Sequence, residues 1–131
     1  MMNNELESIF KFKSHSVSYD TGEVFFIRVD PLISNADELL KALYYSLWFP
    51  GYFGFNWNSL YDCLRDFGWI SYYKIIIEHD SLPSIPDSDL KTYLEILRDS
   101  VVDWHGDEFH QLEVVFSEHD RTRIMNILMG N

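Results

Sequence analysis

The sequence predicts an α/β fold built on a small, largely parallel three-stranded sheet with helices packed on it. Two observations carry this. β-rich runs at 23–30, 72–78 and 111–118 alternate with segments of helical apolar spacing, the pattern of strands joined through helices. The middle run contains an unbroken Ile75-Ile76-Ile77, as suits a strand covered on both faces.

The elements follow in order. Residues 9–19 alternate weakly, with Phe10 and Phe12, then Val17 and Tyr19, which predicts an N-terminal hairpin extension. Gly22 marks a turn before the strand EVFFIRVD. A helix is expected from about 35 to 48, with Leu39, Leu43 and Leu47 facing inward. Asn35 with Glu38 has the form of a capping box, and Ser34 with Asp37 is nearly as good. A second helix is expected from 56 to 67. Pro83 and Pro86 break the chain before a third, from 87 to 104, capped by Asp87 or Ser88 and closed near Gly106. The tail, 120–131, fits a short helix or an irregular extension. With no repeat or linker visible, the whole of 1–131 is expected to be one domain with its core at about 23–118.

Charge narrows the partners. The chain has 21 Asp and Glu against 10 Lys and Arg, a formal net charge of −11. Such a field repels nucleic acid and anionic membranes and attracts basic proteins. No apolar run reaches the roughly 18 residues that span a bilayer. The opening MMNNELESIF lacks a basic segment followed by an apolar one, and one cysteine cannot form an internal disulfide. Both point to the cytoplasm.

Helical rotation then places the acids. With Leu60 at zero, Leu64, Phe67 and Cys63 fall within about 60°, whereas Asp62 lies about 160° away with Asn58 and Asp66 on its side. On the third helix, Leu90, Leu94, Leu97 and Val101 face inward. Asp99 lies about 180° from Leu90, flanked by Glu95 and Asp103. Outer faces of helices are usually charged and idle, so the neighbourhood matters. Residues 44–61 crowd aromatics around a Gly-bracketed loop, where Tyr52, Phe53, Phe55 and Trp57 cannot all be buried easily. Aromatics beside carboxylates suit a surface that anchors and selects a basic protein.

The run PGYFGFNWNSLYDCLRDFGWI, residues 50–70, resembles the signature of the barstar family. Its elements stand here as Pro50, Tyr52-Phe53-Gly54, Asn56, Tyr61-Asp62-Cys63-Leu64 and Trp69. The resemblance covers roughly 23–118, and it implies a barstar-like fold. It also implies an inhibitor of a basic ribonuclease or ribonuclease toxin domain, of immunity or antitoxin type, monomeric before complex formation. By motif position Asp62 is the acid that enters the enzyme's phosphate-binding site, with Tyr52, Tyr61 and Trp69 beside it. Asp99, and after it Glu95, matches a carboxylate contributed by the following helix. Two departures stand out. Asn58 occupies the place of a second aspartate, and the stretch between Leu64 and Trp69 is two residues longer. A ribonuclease delivered by a neighbouring cell fits as well as a close barnase relative. A barstar-like module that regulates another basic protein is the alternative.

Other chemistry is poorly served. Cys63 lies on the apolar stripe, where a thiol is buried and inert. The five histidines show no ligand spacing, so no metal site and no cofactor is expected; His105, Asp107, Glu108 and His110 suit a solvated turn better than a metal. Asp62 with Asp66 makes a weak catalytic pair, and no glycine loop cradles phosphate. The sequence carries no enzyme signature.

Overall fold

The computed structural model describes residues 6, 8–15, 19 and 22–129. Its strands are β1 (Lys11–Lys13), β2 (Val24–Val29), β3 (Lys74–His79) and β4 (Gln111–Ser117). They form one sheet in the order β1-β4-β3-β2, with every neighbouring pair parallel. The helices described from end to end are α1 (Ala36–Ser46), α2 (Trp57–Leu64), α3 (Asp87–Asp103) and α4 (Arg121–Leu128), the last entered through a 3-10 turn at Glu118–Asp120.

The mixed α/β fold with a parallel sheet is as expected, but the sheet has four strands where three were expected. The extra one comes from the segment predicted to be a hairpin. Lys11–Lys13 pairs in parallel with Val115–Ser117, so this arm is an edge of the main sheet and not half of a separate hairpin. The other arm, around Val17, lies outside the described residues.

Register decides which side chains share a face, since successive residues on a strand point to opposite sides. Ile75, Ile77, Leu112, Val114 and Phe116 join Leu39, Leu43, Leu60, Leu64, Leu90, Leu94 and Leu97 in one core cluster. This is the helix-covered face. The opposite face carries Ile76 and Val115, both buried, around the fully buried Glu78. Two cations hold that carboxylate, Lys13 Nζ at 2.7 Å and Arg28 Nε at 2.5 Å. Tyr19 lies over the same face, its ring 4.9 Å from Phe26 and its hydroxyl 3.4 Å from Glu78.

α1 begins in the predicted capping box. The Glu38 amide donates to Asn35 Oδ1 at 2.9 Å, and Glu38 Oε1 accepts in return from Asn35 Nδ2 and the Ser34 hydroxyl. α3 departs from expectation. Pro86 holds the cap position without a side-chain bond, and Asp87 and Asp89 lie inside the first turn, where acids complement the helix dipole. α4 settles the tail as a helix. Ile124, Met125 and Leu128 enter the core, and Arg123 reaches back to Asp87 at 2.9 Å.

Candidate functional site

α2 is short, and its orientation is over-determined. Asn56 caps it, accepting from the Ser59 amide at 2.8 Å. Just upstream, the Gly54 amide donates to Ser59 Oγ at 3.0 Å, and a Cβ on Gly54 would stand 2.8 Å from that oxygen. The entry loop therefore folds tightly onto the first turn of the helix, a closeness that glycine permits. Leu60, Cys63 and Leu64 are wholly buried. At roughly 1.5–3 kcal/mol for each large apolar side chain, these anchors outweigh any preference of the charged face and fix the helix rotation.

Asp62 projects from the opposite side, its side chain 66% exposed. Its immediate neighbour is a cation of the same chain. Arg65 Nη2 lies 3.4 Å from Asp62 Oδ1, and Arg65 Nη1 lies 3.4 Å from Asp103 Oδ2 on α3. The guanidinium carbon sits 3.8 Å above the centre of the Tyr61 ring, a cation–π contact. Arg65 thus bridges two acids from two helices while resting on an aromatic ring.

α2 ends at Leu64, three residues short of the predicted Phe67. Phe67 adopts φ 50, in the left-handed region, so the backbone leaves the helix while its ring stays in the core. Asp66 accordingly lies in the turn after the helix and not on its outer face. Its carboxylate accepts from the Tyr52 hydroxyl across the entry loop and from the Gly68 amide at 3.1 Å. Burial and this acceptor push the Tyr52 phenol well above its ordinary range.

The other expected residues separate into exposed and structural. Tyr52 and Asn58 are exposed, and Tyr61, Glu95 and Asp99 are half-buried. Asp99 accepts from Arg98 Nε at 3.0 Å. Trp57 is half-buried, its ring 6.4 Å from that of Tyr93. Trp69 is half-buried too, its indole donating to the Leu47 carbonyl at 2.9 Å between Phe49 and Phe67. It braces the turn behind Asp66. Of the crowded loop aromatics, Phe53 is buried while Phe55 remains exposed.

The sequence reading missed Arg65 and the part played by Asp103. Asp103 was visible as a flank of Asp99, but nothing in either helix alone marks the pair as meeting across α2 and α3. Cys63 is buried, and burial pushes its thiol up. Asp107 shapes a turn, accepting from the Phe109 and His110 amides, while His110 packs edge-on against Trp104. Among the described residues no group of three His, Cys, Asp or Glu could hold a metal ion. No described helix is long and apolar enough to cross a membrane.

The family model described as barstar (barnase inhibitor) matches residues 24–117, from the first residue of β2 to the last of β4. No curated protein matches the chain, and neither does any solved structure. The matched span contains α2, α3 and every residue of the acidic and aromatic face just described, and it covers well over half of the sequence: the chain belongs to the barstar family.

Proposed function

We propose that this protein is an inhibitor of a ribonuclease, of immunity or antitoxin type, acting in the cytoplasm and having no catalytic activity of its own. Family membership supports a barnase-inhibitor type of protein. The observation that carries the finer reading is Asp62, a solvent-facing carboxylate on a helix whose reverse side is fully buried.

A ribonuclease gathers cations where it holds RNA phosphate, and a rigid carboxylate is a ready substitute for that phosphate. Asp62 enters this site, with Tyr61 and Tyr52 forming an aromatic border and Asn58 and Trp57 alongside. Asp99 and Glu95 on α3 meet the outer basic rim. Asp66 and Trp69 shape the turn that frames Asp62. The net charge of −11 adds long-range steering towards a basic enzyme, with no nucleic acid or cofactor required.

The test is titration of a basic ribonuclease with wild-type and Asp62→Ala protein, read as residual RNA cleavage. Wild type silences the enzyme, and the variant loses at least about a hundredfold in affinity, the scale of a buried charged anchor. Unfolding stability should stay within about 0.5 kcal/mol, because the side chain is exposed. Equal protection by the two proteins would refute the reading.

A further inference from the structure

Arg65 is the anomaly on this face. An inhibitor of a cationic site gains from carboxylates, yet this chain places a guanidinium between two of them. The contact is held from three directions: by Asp62 on α2, the helix that Arg65 caps, by Asp103 on α3, and by the Tyr61 ring beneath it. Arg65 Nε also donates to the Tyr61 carbonyl at 3.3 Å. Such a side chain has lost much of its rotamer freedom, so it stays in place when a partner arrives.

We propose that Arg65 is a specificity determinant, which selects a ribonuclease carrying a carboxylate beside its basic pocket and disfavours one whose docking face is uniformly cationic. This rests on the inhibitor reading and deepens it. The surface alternates in sign: Asp62 negative, Arg65 positive, Asp103 negative. A partner that is basic throughout meets like charge at the centre, close to the point where Asp62 must enter, and desolvates the guanidinium without replacing its water. A partner with a carboxylate at that place forms a second ion pair and leaves Asp62 and Asp103 for its own cations. Specificity of this kind depends as much on the repulsive element as on the attractive one. Asn58, polar and uncharged one turn before Asp62, shifts the balance of the face in the same direction.

The experiment uses the full chain and barnase as probe, comparing wild type, Arg65→Ala, Arg65→Glu and Asp62→Ala by inhibition of RNA cleavage and by association rate. The side-chain NMR signal of Arg65 Nε is followed in parallel in Asp62→Asn and Asp103→Asn. Against barnase, Arg65→Ala tightens inhibition about tenfold or more, and Arg65→Glu tightens it further. The Arg65 signal moves in both Asn variants. Unchanged or weaker inhibition by Arg65→Ala, including failure of every variant to inhibit, overturns the filter. An Arg65 signal indifferent to both Asn variants also overturns it, without any partner. Inhibition that is abolished by Asp62→Ala but indifferent to Arg65 leaves the inhibitor reading standing alone. Inhibition indifferent to Asp62 removes that reading too.

Discussion

Tyr52 donates its hydroxyl proton to Asp66, joining the loop that enters α2 to the turn that leaves it. One helix is thus clasped at both ends, with the exposed carboxylate of Asp62 between. The link is between side chains, so the shape of the face can be altered without touching its acids.

Tyr52→Phe removes the donor and keeps the ring. We expect a loss of about 1 kcal/mol in urea unfolding, the usual net value of one hydrogen bond. Dissociation from a ribonuclease should quicken while association holds, because net charge is unchanged. The sign with pH follows from the phenol, which the fold keeps protonated. The bond contributes fully below the unfolded tyrosine pKa of about 10 and is lost as pH rises beyond it. An alkaline stability profile identical in wild type and Tyr52→Phe would contradict this.

The far end of α2 depends on Trp104. Its buried indole donates at 2.7 Å to the carbonyl of Leu64, the last residue of the helix, whose acceptor has no further turn to bond. Trp104→Phe preserves much of the packing and leaves that carbonyl without its donor, at a cost of about 1–3 kcal/mol. Amide hydrogen exchange should speed up in α2 more than in β3. Uniform acceleration would mean that the indole supports the core generally and not this helix.

Much of this arrangement is legible in the sequence. The Asn35–Glu38 box, the three long strands and the Leu60–Cys63–Leu64 stripe are local patterns, and each was met. The failures have a common cause. β1 is three residues long and finds its partner a hundred positions away, so no periodicity in KFK could announce it. The end of α2 depended on Phe67 entering the left-handed region, which aromatic residues seldom do. Arg65 was invisible as a bridge because Asp103 belongs to another helix. Side-chain pairing across elements is a property of packing, and packing is not written in spacing.

His79 sits wholly buried on β3 with both ring nitrogens used. Nδ1 donates to the Val115 carbonyl at 3.0 Å, and Nε2 accepts from the Tyr93 hydroxyl at 2.7 Å. Burial lowers its pKa to about 4. In the unfolded chain it titrates near 6.5, so above that pH the folded and unfolded forms bind the same number of protons. As pH falls from about 6.5 to about 4 the unfolded form takes up a proton that the folded form refuses, and stability drops by roughly 3 kcal/mol. His79→Gln should be less stable at neutral pH yet show a flatter profile across that window. An undiminished slope in the variant would assign the acid sensitivity to other groups.

Glu78 presents the opposite arrangement, a buried carboxyl group faced by two cations. Lys13 from β1 and Arg28 from β2 reach it across the sheet, and Lys13 continues to Asp80 at 2.6 Å, holding that carboxyl below its usual range. Removing one partner of a buried pair strands the other, which costs about 3–5 kcal/mol, whereas replacing the pair with apolar side chains can be neutral. Glu78→Ala should therefore be severely destabilising, and Lys13→Met less so, because Arg28 still faces the carboxylate at 2.5 Å. The double variant Glu78→Leu with Lys13→Met should recover much of the loss. Additive penalties in that double-mutant cycle would mean that Lys13 and Glu78 are not coupled, and that β1 is held to the sheet by its other contacts: its backbone pairing, the packing of Phe12 and the ion pair of Lys11 with Glu113.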